Sequence, residues 1–175
     1  VEVHLNVRVE SCTKDNVCLS AGNLGADLIV WTAGSKPSEF FAKNSGVFTL
    51  NKSGRVIVNE HLQVKNSRNM YVIGDNADTK YSGMAQTALY NALYVARNIL
   101  AEKHGKKIPP YRNRRPIYVI TVGPKWAIAQ IGKRVLSGRS GWSVRRKADL
   151  AIFKNFQPYK EALKTWRKAE KMSKF

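Results

Sequence analysis

Three stretches carry residue types that could hold a ligand. In Tyr71-Val72-Ile73-Gly74-Asp75 an apolar run is closed by a glycine and an aspartate. A strand of that kind delivers a carboxylate to the carboxyl edge of a sheet, where open α/β folds bind their ligands. Gly74 lets backbone approach a ligand closely, and Asp75 can accept hydrogen bonds from hydroxyls. The second stretch, Val30-Trp31-Thr32-Ala33-Gly34-Ser35-Lys36-Pro37, is an apolar run leaving through small residues into a proline turn. The third, Met84-Ala85-Gln86-Thr87-Ala88, opens a helical pattern soon after Asp75. The first turn of a helix presents free N–H groups and the positive end of the dipole, which favour a negative charge by about 0.3–1 kcal/mol, up to ~2 when partly buried. Each of the first two stretches alone also reads as an ordinary strand exit; their order and spacing together are more specific.

Other residue types offer less. His4, His61 and His104 are scattered away from any carboxylate cluster, so no general acid or base, and no catalytic side chain, is assigned. Cys12 and Cys18 match neither a CxxC pair nor a metal knuckle and read as ordinary thiols in a reducing compartment, so no metal site is expected.

The elements that must position these residues can be read from periodicity. Val1 to Val9 alternates polar and apolar, the period-2 mark of a half-buried strand, and Val17-Cys18-Leu19 follows it. Ala21 to Gly25 reads as a turn. Leu28-Ile29-Val30-Trp31 is a continuous apolar run, as in a strand buried on both faces. Gly34 to Gly46 reads as loop. Extended pieces are expected at Arg55–Val58, His61–Val64 and Met70–Ile73. A helix runs from Ser82 or Gly83 to about Lys103, with Met84, Ala85, Ala88, Leu89, Ala92, Val95, Ala96 and Ile99 on one face and Gly105 as its stop. After a basic linker from Lys106 to Pro116, Ile117–Val122 and Trp126–Ile131 form a hairpin around Gly123-Pro124. From Trp142 onward the pattern is helical, broken at Pro158.

Taken together, the Thr32-Ala33-Gly34 turn with Pro37, the strand ending in Gly74-Asp75, and Ala85-Gln86 opening a helix resemble the two-dinucleotide-domain pyridine-nucleotide flavoprotein oxidoreductases. Among these the type II NADH dehydrogenases look most similar, with further echoes at Val122-Gly123, Gly138, Gly141-Trp142, Asp149-Leu150 and Trp166. The resemblance implies an α/β fold (α+β within this chain). It would comprise the end of an NADH-domain sheet over 1–33, a FAD-domain strand and helix over 34–105, and a C-terminal hairpin with amphipathic helices over 106–175. It implies FAD as cofactor and NADH as electron donor. The cofactor contacts would fall on Thr32, Ala33, Gly34, Gly74, Asp75, Ala85, Gln86, Thr87 and Ala88. Asp75 would hold the flavin ribityl chain, and the backbone of Gln86 to Ala88 would meet the pyrimidine edge. The family's Ala-Gln-x-x-x-Gln pattern keeps Gln86 but places Tyr90 at the second Gln. These two are the quinone-site candidates, and the acceptor stays open between a quinone, oxygen, a related compound and a protein. The Trp or Lys that the family often carries further on falls on Arg145, Arg146 or Lys147. No GxGxxG loop occurs, and Val1 opens directly on a strand-like run. The expectation is a fragment that binds FAD weakly or not at all by itself, is inactive alone, and self-associates through exposed strand edges.

The formal charge of +18 is uneven. Residues 1–100 hold ten Lys/Arg and eight Asp/Glu; residues 101–175 hold twenty and four, a net +16. Such a polycation seeks a polyanion. Phe156, Tyr159, Leu163 and Trp166 repeat at helical spacing among the basic residues and read as an interfacial amphipathic stripe. With the family's implied membrane attachment, this points to an anionic membrane surface on the cytoplasmic inner face of the cell membrane. The alternative is a surface helix whose stripe packs on its own domain. A nucleic-acid module is disfavoured, because no RNP, zinc-finger or helix-turn-helix signature accompanies the charge.

Overall fold

The computed structural model describes residues 2–172. The chain divides into two compact units, Val1–Lys36 and Pro37–Phe175.

The first unit is an antiparallel meander of β1 (Val9–Cys12), β2 (Asn16–Leu19) and β3 (Gly22–Gly25). Thr13 N–H closes the first turn on the Asn16 carbonyl at 2.8 Å, and Cys12 faces Val17 across the ladder. The strand expected over Val1–Val9 begins only at Val9, because the four residues of β2 are all the partner it has; Val1 itself lies outside the described residues. The turn is confined to Ser20-Ala21, and Gly22–Gly25 pairs with β2 as a strand. Leu28–Trp31 is not a buried strand: Leu28 is 80% and Val30 71% exposed. Burial on both faces requires flanking strands and covering helices, and the described ladder of this unit ends at Gly25.

In the second unit α1 (Glu39–Lys43) occupies part of the segment expected to be loop. Ser38 caps it by accepting from Phe40 N–H, and Phe40, Phe41 and Phe48 pack edge to face beneath it. Phe48, Val56, Val64, Val72 and Ala77 form the buried cluster. The extended pieces expected at 55–58, 61–64 and 70–73 meet only through single bridges, Leu50 with Val56, Val58 with Val64, Gln63 with Tyr71, and Val56 parallel to Ala77. Turns closed by Gly54, Leu62 and Ser67 N–H groups interrupt the chain too often for a ladder to propagate.

α2 (Ala85–Lys103) ends at Gly105, whose φ of +64° fits a left-handed stop. Gly105 N–H bonds Glu102 and Lys106 N–H bonds Ala101, the paired closure of a Schellman motif. Its inward face differs from the expected apolar one. Thr87, Asn91 and Val95 are buried, whereas Ala85, Ala92, Ala96 and Ile99 are exposed. The helix is rotated so that a polar side chain, Asn91, can satisfy a buried N–H, as described below.

The segment 106–117 lies back along α2 instead of crossing free. Tyr94 hydroxyl donates to Pro109 carbonyl at 3.1 Å, Tyr111 rings Tyr94 edge to face, the Arg114 guanidinium sits 5.5 Å over Tyr90, and Ile117 N–H donates to Gln86 Oε1 at 2.7 Å. The expected hairpin follows as β4 (Tyr118–Thr121) and β5 (Ala127–Ile131), joined by an unanticipated β6 (Arg134–Leu136) in the order β4-β5-β6. α3 (Gly138–Lys154) crosses this sheet at Gly141, where an added Cβ would lie 2.1 Å from the Ala127 carbonyl oxygen, so only glycine permits the approach. α4 (Tyr159–Met172) starts after Pro158 and packs on α3.

Candidate functional site

The strand-like run from Met70 ends in a 3-10 turn at Gly74–Asn76. Gly74 is buried at φ +65°, and a Cβ there would lie 3.3 Å from Ala88 Cβ on α2. Left-handed backbone and close approach thus both require glycine. Its N–H donates to Asn91 Oδ1 at 3.0 Å. On the other side Arg55 Nε donates to the Asp75 carbonyl at 3.1 Å, and Val56 N–H donates to the Asn76 carbonyl at 2.8 Å. The turn is therefore gripped from two directions, while the Asp75 side chain is exposed and, among the described residues, its carboxylate makes no hydrogen bond or ion pair.

Ala85, Gln86, Thr87 and Ala88 form the first turn of α2. No side chain caps it from Met84, and the first intrahelical bond is Ala88 N–H to Met84 carbonyl. The N–H groups left for a ligand are therefore those of Ala85, Gln86 and Thr87; Ala88, expected to contribute one, instead supplies the methyl that Gly74 rests on. Thr87 Oγ1 is buried and has no hydrogen-bond partner among the described residues. Of the quinone-site candidates, Gln86 has its carbonyl oxygen engaged by Ile117 N–H, and Tyr90 lies one turn further along beneath Arg114.

Thr32, Ala33 and Gly34 belong to the first unit. Their turn is closed by Trp31 Nε1, which donates to the Gly34 carbonyl at 2.9 Å, with Gly34 at φ +99°.

The expected C-terminal stripe splits. Phe156 precedes α4 in the turn around Pro158 and is 70% exposed, so it is not on the helix at all; Tyr159 is 57% exposed. Leu163 and Trp166 are half-buried instead. Trp166 lies under the Arg146 guanidinium at 4.8 Å, and Arg146 also pairs with Glu170, joining α3 to α4. Beside them, burial raises the Asp149 carboxyl pKa despite the opposing Arg145 ion pair at 3.0 Å; Glu170 adds to the rise. Among the described residues no helix is long and apolar enough to cross a membrane.

Asn91 and Arg55 escaped the sequence reading, although both hold the Gly74–Asp75 turn. The available signal was Thr87 and Asn91, polar residues at i and i+4 in an alanine-rich helix.

Residues 1–92 match the pyridine nucleotide-disulphide oxidoreductase family. Apoptosis-inducing factor homolog B of Dictyostelium discoideum is 30% identical over 87% of this chain. The type II NADH:quinone oxidoreductase NdhA of Mycobacterium tuberculosis is 30% identical over 81%. The chain spans 45% and 33% of the lengths of these two relatives. Among solved structures, reduced Bacillus anthracis CoADR-RHD aligns over 66% of this chain and 21% of its own, with a TM-score of 0.51 and 24% identity, a likeness of fold. With more than half of its residues matched by that family, the chain belongs to the pyridine nucleotide-disulphide oxidoreductases.

Proposed function

We propose that the protein carrying this chain takes electrons from NADH onto FAD and passes them to a quinone or a similar small acceptor. One observation carries the reading: the Gly74–Asp75 turn is locked against Ala88 while the Asp75 carboxylate stays exposed beside the uncapped start of α2. The residues fit an FAD. Ribityl hydroxyls are donors that match a free carboxylate, and a pyrimidine edge that gains negative charge on reduction matches the N–H groups of Ala85, Gln86 and Thr87. When bound, FAD supplies hydride acceptance from the nicotinamide and onward electron release. Asp75 would orient the ribityl chain, and the α2 terminus would stabilise the charge that reduction creates. The relatives' names, an NADH:quinone oxidoreductase and apoptosis-inducing factor homologs, favour this chemistry. Gln86 and Tyr90 are the residues of this chain offered to the acceptor.

The same reading includes peripheral attachment to an anionic membrane on the cytoplasmic side. Supporting it, no acidic residue occurs between Glu102 and Asp149, and Phe156 and Tyr159 are exposed beside basic residues. Self-association of this chain is proposed from the exposed apolar run Leu28, Val30 and Trp31.

The test is flavin retention. In the gene product that contains this chain, Asp75→Ala removes a charged acceptor worth about 1.5–3 kcal/mol per hydrogen bond. FAD affinity, read by flavin fluorescence, falls by roughly 10- to 150-fold. Unchanged stoichiometric FAD in Asp75→Ala would overturn the reading.

A further inference from the structure

Asn91 is fully buried in the middle of α2, where an apolar residue would ordinarily pack. Its Oδ1 accepts from Gly74 N–H at 3.0 Å. That amide belongs to a buried residue in the left-handed region, pressed to within 3.3 Å of Ala88 if a Cβ were present. Without an acceptor at 91, a buried N–H would be left unsatisfied at a strained turn, and the turn would have to shift to find another partner.

The bond also sets the direction of the Asn91 side chain. With Oδ1 on Gly74, the amide nitrogen must point elsewhere. It is buried beside the Tyr111 hydroxyl from the strap along α2, which is buried too. The two groups lie close enough for the Asn91 amide to lower the Tyr111 phenol pKa against the larger rise caused by burial. Asn91 thus stands between the strap and the Gly74–Asp75 turn, in contact with the turn through a single directed hydrogen bond.

We infer that Asn91 is the positioning residue that fixes the Gly74–Asp75 turn on α2, and through it the carboxylate offered to the flavin. The inference rests on the FAD reading above for its second half only. Asn91 touches no cofactor. It acts by holding the Gly74 amide, so that Asp75 and the first turn of α2 keep one relative placement. Ala88 sets how near the turn can come, and Asn91 sets its rotation about that contact, because the bond is directional and the methyl contact is not.

The test uses four variants. Asn91→Leu keeps the volume and removes the acceptor. Asn91→Asp keeps an acceptor oxygen toward Gly74. Tyr111→Phe removes the neighbouring hydroxyl and leaves the Gly74 bond. Asp75→Ala removes the flavin contact itself. Two readouts are taken: exchange of the Gly74 amide proton by NMR without flavin, compared with the core amides of Val56 and Val72, and FAD affinity by fluorescence. In Asn91→Leu, Gly74 exchange rises by about tenfold relative to the core amides and the FAD Kd rises by about tenfold, the equivalent of one net hydrogen bond. Asn91→Asp restores slow Gly74 exchange, and Tyr111→Phe leaves both readouts unchanged. If Asn91→Leu does not fold, Asn91→Ser, too short to reach Gly74, takes its place with the same expectation. Gly74 exchange that moves only in step with Val56 and Val72 overturns the inference, as does Tyr111→Phe matching Asn91→Leu in both readouts. Loss of FAD in Asp75→Ala but not in Asn91→Leu overturns the positioning role alone. Retained FAD in Asp75→Ala overturns the flavin reading, while selective Gly74 exchange would still support the hold on the turn.

Discussion

Gly74→Ala separates two constraints that meet at one residue. The first is conformational: at φ +65° an L side chain costs roughly 1–2 kcal/mol. The second is steric: the new methyl would sit 3.3 Å from Ala88 Cβ, tight enough that the turn or the helix must give, and forced contacts in a packed site typically cost about 1–3 kcal/mol. Gly105→Ala is the control. It has nearly the same φ, +64°, with nothing within 4 Å of its added Cβ, so it carries the first term alone. Gly74→Ala is therefore expected to destabilise by about 2–5 kcal/mol and Gly105→Ala by about 1–2, measured by urea unfolding at fixed m-value. Ala88→Gly alone costs about 1 kcal/mol as a helix-interior glycine. Combined with Gly74→Ala it returns the steric part, giving a coupling of about 1–3 kcal/mol in the double-mutant cycle. Equal costs for the two glycine variants together with zero coupling would refute the close packing of the turn on α2. FAD affinity of Gly74→Ala should fall in parallel, because a displaced turn carries Asp75 with it.

Asp149 bears on acid behaviour. Its folded pKa lies above the ordinary 3.8, so the folded state holds this proton more tightly and its contribution to stability falls as pH rises from near 3.8 through the raised value. Asp149→Asn should flatten that slope in thermal unfolding across mildly acid pH; an unchanged slope would count against the burial. Arg146→Ala loses both the half-exposed Glu170 pair and the Trp166 face, and is expected to lower stability by about 1 kcal/mol, with most of the loss surviving in high salt. At the membrane, Phe156→Ser with Tyr159→Ser should reduce co-sedimentation with anionic vesicles without moving the melting temperature. Trp166→Ser should do the reverse, and the opposite pairing would show that the membrane contact is made by Trp166.

Legibility followed how local each cause was. The α2 stop at Gly105, the β4–β5 hairpin around Gly123-Pro124 and the restart of helix at Pro158 depend on residues within a turn of one another, and all were readable. The Gly74–Asp75 turn was readable for the same reason. The inward face of α2 was not. Periodicity selected its alanines, but the orientation is decided by Gly74 N–H seventeen residues before Asn91. The Phe156–Trp166 spacing runs across Pro158, where helical phase is broken, so Phe156 lies off the helix that carries the other three. Leu28–Trp31 has the composition of a strand buried on both faces, yet burial is a property of neighbours, and none of the described strands of its unit pairs with it.

The strap along α2 also acts as a ruler. From Ala101, where Lys106 is tied, back to Gln86, where Ile117 is tied, the helix rises about 22 Å at 1.5 Å per residue. The eleven steps from Lys106 to Ile117 could span at most about 36–40 Å fully extended. The excess is roughly four residues of chain, taken up by the path that lays Tyr111 against Tyr94 and Arg114 over Tyr90. A deletion of one or two residues can be absorbed there, whereas one of five would leave the strap too short to reach Gln86. The start of β4 would then be pulled away from the foot of α2. The spacing between the Gly74–Asp75 turn and the C-terminal sheet is thus set by chain length, in a stretch whose composition looks free to vary.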